Sequence, residues 1–135
     1  MRNIKKAIVY TLVTMSILFI AGCYKATTLY PNPDDVTLVN KDVSLASDII
    51  PIFSQNCAIS GCHISGGTSP DLTASKAYNS LINGGFVNTA DPKSSKIFLR
   101  LTGKLTPAMP LNATTYPSNI NSLVLTWITQ QAKNN

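Results

Sequence analysis

The clearest hydrophobic pattern lies near the end of the chain. Ile120, Leu123, Val124, Trp127 and Ile128 fall at i, i+3, i+4, i+7 and i+8, with Asn121, Ser122, Thr129 and Gln130 opposite. That is one apolar stripe of an amphipathic helix. Three shorter helices are predicted upstream. Asp48 caps the first, with Ile49 at its first position, Pro51 still in the first turn, and Ile49 and Phe53 on one face leading to Cys57. Thr73 or Ser75 starts the second, which carries Ala77, Tyr78, Leu81 and Ile82 and stops at Gly84 and Gly85. Asp91 and Pro92 cap and open the third, with Ile97, Phe98 and Leu101 inward and Gly103 beyond its end. Strand patterns are weak, so the expectation is an all-α domain over residues 43–135.

The N-terminal pattern differs in kind. Arg2, Lys5 and Lys6 precede an almost uninterrupted apolar run from Ala7 to Ala21, too short and too early for a membrane span. The run ends in Ile20-Ala21-Gly22-Cys23, which resembles a bacterial lipoprotein signal. The expected organisation is a signal peptide over 1–22, removed on export, a lipidated Cys23 with a flexible tether over 23–42, and the helical domain over 43–135. An uncleaved anchor or a plain secretory signal would export the chain equally. Tyr24 to about Lys41, with Thr27, Thr28, Pro31, Asn32, Pro33, Asp34 and Asp35, has turn and extended chemistry and no apolar period. The domain is therefore expected to be lipid-anchored to a bacterial membrane, facing the periplasm or cell surface.

Export changes the charge and the cysteine count. The formal charge of +5 falls to about +2 once the three cations of the signal are gone, so nucleic acid is not implied. With Cys23 lipidated, Cys57 and Cys62 are the only pair left in an oxidising compartment. The 113 residues from Cys23 onward are enough for one modest domain.

Candidate chemistry concentrates in Cys57-Ala58-Ile59-Ser60-Gly61-Cys62-His63, which holds two cysteines and the chain's single histidine. It reads as a stretched form of C-x-x-C-H, in which two sulfurs form thioethers with haem vinyl groups and the histidine ligates the iron. The gap is four residues instead of two. The two extra residues must loop out, and Gly61 beside small Ala58 and Ser60 permits this. With one histidine, bis-histidine ligation within the chain is impossible. Met1 and Met15 lie in the signal, so Met109, bracketed by Pro107 and Pro110 and 46 residues beyond His63, is the available second ligand. One haem with His63 and Met109 as axial ligands is the resulting expectation.

Other readings of the same residues stand beside it. Cys57 and Cys62 would also suit a disulfide in a haem-free exported lipoprotein that binds a partner. Zinc would have three ligands at poor spacing and no fourth Cys or His. Cys-His nucleophilic catalysis would need a placed base and an orienting group that sequence neighbours do not provide. Met109 as a gap-filling core residue fits a proline-bracketed loop poorly. Lys93, Lys96, Arg100 and Lys104 read either as a basic rim that orients a partner or as solvated surface charge. The Asn112-Ala113-Thr114 sequon is expected to be idle in a bacterial lipoprotein.

The segment from Val43 to His63, with Ser47-Asp48-Ile49-Ile50-Pro51-Ile52-Phe53 leading into Cys57 and Cys62-His63, resembles the small exported c-type cytochrome domains described as planctomycete-type. Met109-Pro110 and the Trp127 helix are similar to the same pattern, so the resemblance spans about 90 residues. It implies a cytochrome c-like helical domain wrapped around one covalent haem c, with thioethers at Cys57 and Cys62, His63 proximal and Met109 distal. It further implies that the Pro70 carbonyl accepts the His63 ring N–H, fixing the imidazole and tuning the iron. The four-residue cysteine gap departs from the usual spacing, although some multihaem cytochromes use it. One-electron transfer between redox partner proteins follows, with no organic substrate and no catalytic residue. Service as the electron-entry subunit of a larger oxidase or peroxidase complex is a further reading.

Overall fold

The computed structural model describes residues 30–111 and 119–135. The signal, the lipidation candidate Cys23, Met1, Met15 and the Asn112 sequon lie outside them. Among the described residues the chain is helical, with no strand, and no helix is long and apolar enough to cross a membrane. A π-helical turn, Leu45–Ile49, runs straight into α1 (Ile50–Asn56), followed by α2 (Ala77–Asn83), a 3-10 turn (Pro92–Ser94), α3 (Lys96–Leu101) and α4 (Ile120–Thr129).

The first helix begins a turn earlier than Asp48 predicts. Ser44 is the cap: its Oγ accepts from Ser47 N, while Asp48 Oδ2 accepts from Ser44 N at 2.9 Å, a reciprocal pair of the capping-box kind. The Leu45 and Ala46 N–H groups donate to the Oδ1 and backbone O of Asn135, and Asp48 N donates to Ser44 O. All the early donors of the helix are thereby taken. The hydrogen bond from Lys41, and then that from Ser44, holds the Asp48 carboxyl below its ordinary pKa.

The predicted third helix is also altered. Ser95 adopts an extended conformation and splits the stretch into the Pro92–Ser94 turn and α3. Its hydroxyl accepts from Asn88 N at 2.9 Å, and the residue is buried. A short polar side chain that satisfies a neighbouring backbone group competes with helix formation. Asp91 makes no side-chain cap.

α4 is the centre of the domain. Trp127, Ile128, Val124 and Ile120 are all at most 1% exposed and share one core with Ile49 and Phe53 from the first helix, Leu72, Ala77 and Leu81 from the α2 region, and Ile97 and Leu101 from α3. Each such side chain contributes roughly 1.5–3 kcal/mol on burial. Asn121, expected on the polar face, is buried too. Thr126, also outside the stripe, is buried as well: Val39 N donates to its Oγ1, and nearby Gln130 bridges Val43 N and Lys41 O. The later part of the predicted tether is thus fastened to the domain.

Candidate functional site

The loop after α1 is shaped by backbone hydrogen bonds. Cys57 N and Ala58 N both donate to Phe53 O, ending the helix. His63 N then donates to Cys57 O at 3.1 Å, so the two ends of the cysteine segment are joined. Within this closure Cys62 N donates to Ile59 O, and Gly61 takes φ +81°. The residues that lengthen the gap therefore form a tight outward turn, with a left-handed corner that favours glycine.

The same loop fixes the imidazole. His63 Nδ1 lies 3.0 Å from Pro70 O and 3.1 Å from Thr68 O. Both partners are carbonyls and can only accept, so Nδ1 carries the proton and Nε2 holds the free lone pair of the neutral ring. Asp71 braces the acceptors. Its carboxylate accepts from Thr73 Oγ1 at 2.6 Å, Thr73 N at 3.0 Å and Ser65 Oγ at 2.7 Å, while its own N–H donates to Ser80 Oγ. These hydrogen bonds, the Thr73 hydroxyl first, hold its carboxyl at about 2. In the sequence, Asp71 carries only the signal of an Asp two residues before Thr, an Asx-turn pattern.

His63 faces a mainly apolar cavity of about 420 Å³, within the roughly 300–1,000 Å³ of ligand and cofactor sites. Cys57, Cys62 and Pro70 line it from the first loop, Ile97 and Leu101 from α3, and Met109 from the loop beyond. The candidates Cys57, Cys62, His63, Pro70 and Met109 therefore share one cavity. Met109 N donates to Arg100 O, Arg100 Nη1 to Pro107 O and Tyr30 OH to Pro110 O. Gly103 makes the turn at φ +72°, with Tyr30 packed against it. Exposed Ile59 and Leu111 also line this cavity.

Cys57 and Cys62 are free and half-buried. Burial, then the neighbouring Cys62, pushes the Cys57 thiol up to about 11. Among the described residues no three His, Cys, Asp or Glu side chains gather as a metal site. The four basic side chains do not act alike. Lys93 reaches Asp34 at 4.0 Å, Lys96 sits 6.0 Å from the Phe86 ring centroid, Lys104 is exposed, and Arg100 lines the cavity.

Compared with protein-family models, curated proteins and solved structures, the chain matches none.

Proposed function

We propose that this chain is an exported, lipid-anchored, single-haem c-type cytochrome that carries one electron at a time between redox partner proteins. The observation that carries the reading is the commitment of His63 Nδ1 to two backbone carbonyls, which leaves Nε2 available on a cavity that also holds two free thiols and Met109. The donor set fits the group. Cys57 and Cys62 would hold it through their sulfurs, and His63 Nε2 and the Met109 sulfur would be the ligands offered to its iron. Such a haem supplies a one-electron change between ferric and ferrous iron.

The chain's own residues set the conditions. The Pro70 and Thr68 carbonyls orient the imidazole and raise its basicity as a ligand. Phe53, Ile97 and Leu101 line the cavity with apolar surface. A thioether ligand from Met109 beside the imidazole would favour the ferrous state. Pro107 and Pro110 restrict the loop around Met109.

The test is expression with a c-type haem maturation system, followed by denaturation. Haem retained on the denatured chain, and lost when Cys57 and Cys62 are both replaced by alanine, is the expected result. A colourless protein carrying a Cys57–Cys62 disulfide would overturn the reading in favour of a haem-free binding lipoprotein.

A further inference from the structure

The predicted tether is fastened to the domain at its Tyr30 end as well, and the point of attachment is the rim of the cavity. Tyr30 is half-buried and donates its OH to Pro110 O at 2.7 Å, across 80 positions of sequence. Its side chain lies on Gly103, where a Cβ would come within 3.2 Å of Tyr30 Cβ and Cγ, so the missing side chain is what admits it. One tyrosine thus touches the loop at both ends, at Gly103 just past α3 and at Pro110 beside Met109. Further hydrogen bonds of the loop start and finish within residues 99–109: Gly103 N to Arg100 O, Leu105 N to Leu99 O, Met109 N to Arg100 O and Arg100 Nη1 to Pro107 O. They shape the loop on the end of α3. Tyr30 instead joins it to a strap that continues over the domain, where Asp34 meets Lys93 at 4.0 Å, Val39 N donates to Thr126 Oγ1, and Val43 N and Lys41 O bond to Gln130. The Tyr30 bond is partly buried while the Arg100 to Pro107 bond is exposed. Water competes less for the former, so it holds the loop more firmly.

We infer that Tyr30 is a positioning residue for Met109: its ring and hydroxyl clasp the 103–110 loop and keep the methionine on the cavity wall. The inference deepens the proposed function, on which it rests for the role of Met109 as second ligand. A thioether on an unbranched, flexible side chain is a soft and adaptable group, so its place depends on how firmly the backbone beneath it is held. Tyr30 supplies that hold from outside the loop.

The test compares the wild-type chain with Tyr30→Phe, which keeps the ring and removes the donor, and with Asp34→Asn, which removes a strap contact elsewhere. In the haem-loaded chain, imidazole added to the ferric protein competes with Met109, so its affinity reads how firmly that side chain is held. Tyr30→Phe should bind imidazole about three- to tenfold more tightly, the scale of one neutral hydrogen bond, with covalent haem retention unchanged. Asp34→Asn should bind it as the wild type does. Unchanged affinity in Y30F, or an equal rise in D34N, would overturn the inference. A second measurement needs no haem: in the full chain purified without it and with its cysteines reduced, the Met109 methyl resonance should move in Y30F toward its position in urea, at equal helix content by circular dichroism. An unmoved resonance would overturn the clasp. The wild-type chain decides even if the phenylalanine variant does not fold, because it should show a nuclear Overhauser contact between the Tyr30 ring and Gly103, and absence of that contact would refute it. A chain that retains no haem but whose Met109 signal moves in Y30F keeps the clasp and loses the cytochrome reading. Retained haem with an unmoved signal and unchanged imidazole binding removes only the clasp.

Discussion

Replacing Gly67 by alanine is the sharpest probe of how the His63 loop is held. A Cβ at Gly67 would lie 2.3 Å from the Cys62 carbonyl oxygen, 3.1 Å from Ile64 O and 3.3 Å from Ile64 Cγ1. The nearest of these is backbone, so no side-chain rotation relieves it. Reaching an ordinary contact of 3.4 Å requires a shift of about 1.1 Å. Cys62 O is also the acceptor for Thr68 N–H at 2.9 Å, and Thr68 O in turn faces His63 Nδ1. Separating the two strands of the loop therefore breaks one backbone hydrogen bond and displaces the carbonyls that orient the imidazole. Overpacking costs roughly 1–3 kcal/mol and a lost hydrogen bond about 0.5–1.5 kcal/mol. The total, on the order of 2–4 kcal/mol, is a large part of a typical domain stability of roughly 5–15 kcal/mol. Urea unfolding followed by far-ultraviolet circular dichroism measures the loss, and the His63 ring resonances report the loop directly. Gly61→Ala is the control: its Cβ meets nothing within 4 Å, and the penalty is the left-handed φ of +81° alone, about 1–2 kcal/mol. A Gly67→Ala protein with wild-type stability and unmoved His63 signals would refute the account of the loop.

Met109→Ala, under the proposed function, should leave covalent haem attachment intact and open the iron to exogenous ligands such as cyanide or imidazole; an unchanged visible spectrum would remove Met109 from the site. Asp71 has a folded pKa of about 2 against an ordinary 3.8, so its contribution to stability is present above pH 4 and is lost as pH falls toward 2. Asp71→Asn should flatten the acid limb of the stability profile in that window, and a limb identical to wild type would count against the Asp71 brace. The Cys57 thiol, raised from 9.0 to about 11, has a thiolate fraction lowered by about a hundredfold at pH 8. Alkylation of Cys57 in the folded chain, followed by mass spectrometry, should be slower than in urea by at least tens of fold, and equal rates would contradict the burial that raises it.

α4 was written in the sequence because its apolar spacing repeats over ten residues, long enough for the period to be unambiguous. What the stripe understated was burial on the second face, since that depends on Val39 and Lys41, some 85 to 90 positions away in sequence. Short helices were less legible because their ends are decided by single side chains. Ser44 and Asn135 complete the first helix from outside the Asp48 cap, and the buried Ser95 hydroxyl interrupts the third. The cysteine segment and Met109 could be picked out from residue type and count alone. Their convergence on one cavity could not, because it is set by Tyr30, Arg100 and Pro107 acting across the fold. Asp71 is illegible for a similar reason: an Asx-turn signal is common, and only the folded loop shows what it supports.

The cavity also connects site to stability. Treated as a dry void, about 420 Å³ at roughly 24 cal/mol per Å³ would cost on the order of 10 kcal/mol, comparable with the entire stability of a domain this size. The cavity is open on one side, so that figure applies only to a sealed space and solvent reaches its walls. Of the backbone carbonyls around it, those of Pro70 and Thr68 are taken up by His63 and those of Pro107 and Pro110 by Arg100 and Tyr30, while the side chains of Asn56, Thr68, Ser69 and Arg100 still offer polar atoms to water. Those carbonyl pairings keep the loop backbone fixed around the space while leaving its surface mainly apolar. Any occupant that binds the folded chain alone raises its stability by mass action, so a ligand of this cavity is detected by the shift it causes in the unfolding midpoint.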